Sequence, residues 1–196
     1  EVGPNENAHS KILGKILSYR SKDGYPILKS FYGLLGLEIE VVRPCVTIEK
    51  ARIDLGVIDD DVAVIVENKV HNAIDQDKQI QRYYEYILNK GFHPDKIFVV
   101  YLTRYGDKDP ETYSMPESLL NSLGRNYRRA GFSTHILGWL KDIVIGYCLE
   151  KDVLFKESVQ MYIEHLEGMF GLRKNQKEMK EKLKSALLHE IGVSND

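Results

Sequence analysis

Three ionisable side chains lie in a stretch that is otherwise apolar, and these residues could carry out chemistry. They are Asp54, Glu67 and Lys69, within the segment from 51 to 70, ARIDLGVIDDDVAVIVENKV. Residues 62–70 are rich in Val, Ala and Ile, the composition of a strand covered on both faces. Burying an acid and a lysine there is costly without a compensating partner. Because Glu67 and Lys69 are two residues apart, a strand places both side chains on one face.

The length of the turn near residues 59–61 decides whether Asp54 can join this pair. An even loop, at 60–61 or 59–62, sets Asp54 directly opposite Glu67, with Cβ atoms about 4.5–5.5 Å apart. An odd loop would send the two carboxylates to opposite faces. Two carboxylates this close repel unless a cation lies between them, and Mg²⁺ takes oxygen ligands of this kind. A lysine beside them can stabilise an anionic transition state or orient a hydroxide.

The order of these residues resembles the signature of a known family. Asp54 followed by Glu67-Asn68-Lys69 on the next strand is similar to the motif of the PD-(D/E)XK nuclease superfamily. The segment Gln79–Tyr83, QIQRY, resembles the QxxxY element of its exonuclease-type branch. The segment Glu6–Ser10, ENAHS, resembles the first-helix acid of the same group.

The resemblance covers roughly residues 5 to 103 and implies a fold. Gly56 and Ile58 replace the Pro-Asp form of the first motif, so Asp54 is assigned by its position. The implied fold is an α/β, restriction-endonuclease-like core with a central mixed β-sheet of about four or five strands. Helices flank this sheet, and further helices follow at the C-terminus.

The resemblance also implies a function, a metal-dependent nuclease that hydrolyses phosphodiester bonds, with DNA as the default substrate. Asp54, Glu67 and the backbone carbonyl of Asn68 would hold Mg²⁺, for which Mn²⁺ would substitute. Lys69 would position the attacking water, and Gln79 would support it. The alternative is a catalytically inactive module on the same fold that binds nucleic acid or protein, and a plain Glu67–Lys69 salt bridge at a strand end also stays open.

Six further residues are candidates for metal binding or for contact with nucleic acid. Glu6 is a possible metal ligand by resemblance, although an acid at a helix start also interacts favourably with the helix dipole. The candidate nucleic-acid contacts are Arg52, Tyr83, Arg125, Arg128 and Arg129. Surface ion pairs, or a solvated basic face on a helix, are the alternative interpretation of the arginines.

Composition favours a single substantial core. The chain has 196 residues, 43% of them hydrophobic, and a net charge of −2, which argues against coating nucleic acid through bulk positive charge. We expect a nuclease-like core over residues 1–150. Cys45 and Cys148 show neither metal-ligand spacing nor a disulfide framework. Without a long apolar run or a signal-peptide pattern at the start, we expect a soluble, cytoplasmic protein with no membrane partner.

Periodicity predicts the elements that position these residues. The predicted helices cover 6–20, 26–35, 75–91, 117–129 and 138–149, and only helical patterns follow residue 151. The predicted strands cover 37–43, 46–55, 62–70, 96–103 and 132–137, with a polar loop at 105–116. Residues 151–196 would form a helical extension packed on the core or on a partner chain. A stripe of Met179, Leu183, Leu187 and Ile191 would serve that docking, and a homodimer would result if the partner is a second copy.

Overall fold

Five strands form one mixed β-sheet, in the order β1-β2-β3-β4-β5. The computed structural model describes residues 6–148 and 152–173. The strands are β1 (Cys45–Lys50), β2 (Ile53–Asp59), β3 (Val62–Lys69), β4 (Ile97–Thr103) and β5 (Tyr127–Gly131). The first three strands pair antiparallel, whereas β3, β4 and β5 pair parallel. The predicted mixed sheet is therefore confirmed.

Helices flank this sheet, as predicted. They are α1 (Glu6–Leu17), α2 (Pro26–Leu34), α3 (Gln79–Leu88), α4 (Glu117–Leu123), α5 (Leu137–Trp139), α6 (Ile145–Tyr147) and α7 (Val153–Met169). Two π-helical segments, Phe132–Ile136 and Leu140–Val144, join α5 and α6 into one helical run that follows β5. No helix in the described ranges is long and apolar enough to cross a membrane.

The turn between β2 and β3 has the even length on which the shared site depends. Asp59 pairs with Val62, which leaves residues 60 and 61 as a two-residue loop. The ladder runs back to Leu55 opposite Val66, so Asp54 and Glu67 come next on the two strands.

Side chains along β3 alternate between two apolar clusters, one on each face of the sheet. Val64 and Val66 pack with α1, α2 and α7. Ala63 and Ile65 pack on the other face, with α3 and α4. By this alternation, Glu67 and Lys69 face α3, whereas Asn68 faces α1.

Two predicted strands in the first half of the chain were wrong. Residues 37–43 form no strand, because the N–H groups of Val42 and Arg43 donate to the Asp59 carboxylate, at 2.8 and 2.7 Å, instead of to a neighbouring strand. Residues 46–55 are not one strand, because Ala51 and Arg52 form a tight turn with φ of 55° and 68°. Such left-handed pairs match the twist of a hairpin.

Two further elements differ in the second half. The helix predicted over 117–129 ends at Leu123, because Gly124 adopts φ 48° and the chain then enters β5 beside β4. Residues 132–137 are helical, not a strand. In the C-terminal part of the chain, α7 buries Val159, Tyr162, Ile163 and Leu166 in the core. The stripe at 179–191, and with it the homodimer prediction, lies outside the described residues.

Candidate active site

Glu67 and Lys69 form a buried ion pair at the end of β3. Lys69 Nζ lies 3.0 Å from Glu67 Oε1, and the two side chains are 7% and 1% exposed. Lys69 Nζ is also 3.4 Å from Asp75 Oδ1. Burial lowers the pKa of Lys69, but the two carboxylates outweigh it and raise this pKa above its ordinary value. The lysine therefore stays charged between two acids.

Gln79, the first residue of α3, is the centre of the polar network. Its Nε2 donates to Glu67 Oε1 at 2.7 Å and to the Tyr83 hydroxyl at 3.1 Å. Its Oε1 accepts from Lys69 Nζ and from the backbone N–H of Gln76, both at 3.1 Å. All four bonds of the amide are used, so its orientation is fixed. The structure thus brings Gln79 together with Glu67 and Lys69, and its catalytic role stays a prediction.

The second carboxylate oxygen of Glu67 lies outside the hydrogen-bond network of the described residues. Oε2 is buried and makes no hydrogen bond with any described residue. Burial, followed by repulsion from Asp54, raises the pKa of Glu67 to about 8, and Lys69 offsets only part of this rise. A buried oxygen without a partner is unfavourable, and a cation would supply one.

Asp54 approaches the same point from β2. Its Oδ2 accepts the backbone N–H of Asn68 at 2.9 Å. Burial raises the pKa of Asp54. The hydrogen bond from Asn68 and the charge of Lys69 oppose this rise, whereas Glu6 and Glu49 reinforce it. Asp54, Glu67 and the Asn68 backbone are thus brought together.

Asn68 and Glu6 connect α1 to this edge of the sheet. The Asn68 side-chain amide donates to the Glu6 carbonyl at 3.0 Å and to Ser10 Oγ at 2.9 Å. Glu6 Oε1 accepts the N–H groups of His71 and Ala73, each at 3.2 Å. In the structure, the Glu6 carboxylate orders the loop after β3, and its role as a metal ligand stays a prediction.

The donor set fits a small divalent cation. Two carboxylates and a backbone carbonyl are the oxygen ligands that Mg²⁺ takes, with water completing its shell. Within the described residues, no group of three or more His, Cys, Asp or Glu side chains is arranged so that it could hold a metal ion. Among the described residues, Glu67 Oε2 is a buried oxygen without a hydrogen-bond partner, and such an ion would give it one.

The sequence interpretation missed Asp75 as a member of the site. Its place at the start of the helix predicted over 75–91 is typical of a cap, but α3 begins at Gln79 and its N-cap residue is Lys78. Asp75 is 8% exposed and contacts Lys69 and the Tyr101 hydroxyl. The only signal in the sequence was an acid between β3 and α3, which is equally typical of a cap.

The predicted nucleic-acid contacts are not grouped as expected. Arg128 and Arg129 lie on β5, whereas Arg125 precedes it, so they share no helix face. Arg129 Nη1 pairs with Asp109 Oδ2 at 2.8 Å. Arg52 lies in the β1–β2 turn, not on the Asp54 face of a strand. Tyr83 is buried and its hydroxyl accepts from Gln79, so its contact with nucleic acid stays a prediction.

Comparisons with known proteins agree with the geometry. A family model of the PD-(D/E)XK nuclease superfamily matches residues 1–163. Comparisons with curated proteins and with solved structures found no match. The matched range contains Asp54, Glu67, Lys69 and Gln79, and membership in the exonuclease-type branch stays a prediction. The match covers most of the chain, and the chain therefore belongs to the PD-(D/E)XK nuclease superfamily.

Proposed function

We propose that this protein is a Mg²⁺-dependent nuclease that hydrolyses phosphodiester bonds in DNA. Asp54, Glu67 and the Asn68 carbonyl would hold the cation. When bound there, a divalent cation lowers the pKa of a water and offsets negative charge on the phosphate. The observation that carries this proposal is that Glu67 Oε2 is buried beside Lys69 and has no hydrogen-bond partner in the described part of the chain.

The roles of the remaining residues follow from their contacts. Lys69 presents an ammonium to the place where negative charge would develop, and such preorganised donors act strongly in a site with little water. Gln79 holds Lys69 and Glu67 in register through its Oε1 and Nε2. Tyr83 in turn fixes the Gln79 amide.

Cleavage assays with four substrates test the function. Linear and circular DNA, each single- and double-stranded, are incubated with Mg²⁺ and with EDTA. We expect cleavage only with Mg²⁺, and a loss of about 10²-fold or more in Lys69→Ala, the scale seen when a preorganised donor is removed. Lys69→Arg should recover only part of the rate, because a planar guanidinium does not replace a compact ammonium.

The controls separate catalysis from binding. Lys141→Ala serves as the matched control, because Lys141 lies in the π-helical segment Leu140–Val144 and pairs with Glu167 of α7. Equal rates in wild type and Lys69→Ala would refute the site. If wild type binds DNA and cleaves none of the four substrates, the protein is instead a binding module on the same fold.

A further inference from the structure

A narrow cavity opens beside Lys69 and is bordered by the loop after β4. Its volume is about 180 Å³, and its lining includes Lys69, Asp75, Tyr101 and Glu111. Asp75 is the member of this group that contacts both the lysine and the loop. A buried carboxylate in such a position is retained only where its oxygens are well partnered.

The two oxygens of Asp75 serve different elements. Oδ1 accepts from the Tyr101 hydroxyl at 3.1 Å and lies 3.4 Å from Lys69 Nζ. Oδ2 accepts the backbone N–H of Glu111 at 2.8 Å. One side of the carboxylate is therefore bonded to β3 and β4, and the other side is bonded to the loop.

The same loop fixes the start of α3. Helix termini leave N–H groups without partners, and the N-cap residue Lys78, with φ 51°, provides no side-chain cap. The loop supplies carbonyls instead. Tyr113 O accepts from Lys78 N at 2.7 Å, and Ser114 O accepts from Gln81 N at 3.2 Å. The loop thus sets the position of Gln79, another partner of Lys69.

We propose that Asp75 is a positioning residue, which holds the Lys69 ammonium and the loop from 104 to 116 in one fixed arrangement around this cavity. This proposal rests on the proposed function of Lys69. An asparagine cannot replace it, because an amide has one accepting oxygen and one donating nitrogen. The single oxygen of an asparagine can face either Lys69 or the Glu111 N–H, but not both.

A double-mutant cycle tests the coupling to Lys69. We expect Asp75→Asn to lower kcat about tenfold with little change in KM, because small misplacements of a catalytic group are costly. In the Lys69→Ala background, the same substitution should change kcat less than about twofold. Asp61→Asn, at the exposed β2–β3 turn, is the matched control. An equal loss in both backgrounds, or no loss in wild type, overturns the proposal.

Hydrogen exchange provides a readout that does not depend on cleavage. Asp75→Ala removes the acceptor of the Glu111 N–H, so this amide should exchange at least about tenfold faster than in wild type. Unchanged exchange overturns the proposal even if the protein is an active nuclease. Conversely, an inactive wild type refutes the proposed function, and the exchange experiment still decides whether Asp75 holds the loop. An Asp75→Asn variant that alters neither cleavage nor exchange also overturns it.

Discussion

Glu67 is a buried acid whose charged form is only partly stabilised by its neighbours. Its Oε1 accepts from Lys69 and Gln79, whereas Oε2 has no partner in the described part of the chain. Burial is the main reason why its pKa is raised to about 8. Without a cation, this carboxylate therefore binds a proton at a higher pH than an ordinary glutamate does.

This shift predicts how stability without metal depends on pH. Between about pH 4.5 and pH 8, folded Glu67 retains a proton that the unfolded chain releases. The free energy of unfolding in EDTA should therefore fall as the pH rises through this window. Glu67→Gln resembles the protonated form and should remove this part of the slope. Thermal or urea unfolding at several pH values measures it.

A matched control isolates Glu67 from other titrating groups. Glu85 is an exposed glutamate on α3, and Glu85→Gln should keep the wild-type slope. The quantity to compare is the difference between variant and wild type at each pH, since the other groups cancel in it. If Glu67→Gln and wild type show the same slope, Glu67 is not the buried proton site described above.

At the scale of elements, β5 is held by a side chain as well as by its ladder. Arg128 Nε donates to the Leu35 carbonyl at 2.8 Å, and Nη2 donates to the Gly36 carbonyl at 3.0 Å. These bonds join β5 to the end of α2. The Arg128 guanidinium is thus occupied by the protein's own backbone, which changes what its replacement should do.

We predict that Arg128→Gln destabilises the fold more than it weakens DNA binding. The loss of hydrogen bonds from a charged donor should lower the free energy of unfolding by about 2 kcal/mol. Urea unfolding measures this change. A marked loss of DNA affinity at unchanged stability would contradict it.

The comparison variant is Arg125→Gln, because Arg125 is exposed beside the same strand. It should leave stability nearly unchanged. If Arg125 contacts phosphate, its removal should flatten the salt dependence of binding to duplex DNA by about 0.9 in the log–log slope. An unaltered slope would indicate that Arg125 is solvated and contacts no phosphate.

Across the whole molecule, α1 and α7 join the two ends of the described chain. His9 Nδ1 lies 2.9 Å from the Tyr162 hydroxyl, and the His9 ring packs against Phe132, His71 and His165. Burial, with the nearby His71 and His165, lowers the pKa of His9 to about 4. A neutral histidine is thus part of the contact between helices distant in sequence.

This contact predicts sensitivity to acid. Between about pH 6.5 and pH 4, the unfolded chain binds a proton that folded His9 does not bind. The free energy of unfolding should therefore fall as the pH falls through this window. His9→Phe should remove this part of the loss, as measured by urea unfolding from pH 7 to pH 4. His93→Phe, at an exposed position, should keep the wild-type fall in the free energy of unfolding. If the free energy of unfolding falls equally in both variants, the prediction is refuted.

The sequence predicted the elements that are governed by local rules. Strand β3 with Glu67 and Lys69 on one face followed from its composition and side-chain alternation, and α3 followed from its apolar stripe. The sequence left the length of the β2–β3 turn open, and the structure shows that it is even. Prediction from the sequence failed where contacts between distant residues determine the local structure. The Asp59 carboxylate accepts hydrogen bonds from the N–H groups of residues 42 and 43. Strand β5 forms by pairing with β4. No local sequence pattern encodes either contact. Asp75 was missed because its partners, Tyr101 and Glu111, are distant in sequence.

The two-residue turn between β2 and β3 has a consequence for the order of folding. A hairpin closed by so short a loop forms in about 1–10 μs, and it brings Asp54 and Glu67 together on its own. The surroundings of Lys69 need α3, β4 and the loop after β4, which are joined by longer loop closures and parallel pairing. We therefore expect the carboxylate pair to assemble early, while the lysine is still mobile. A divalent cation present during refolding would then meet its oxygen ligands before the rest of the site is complete.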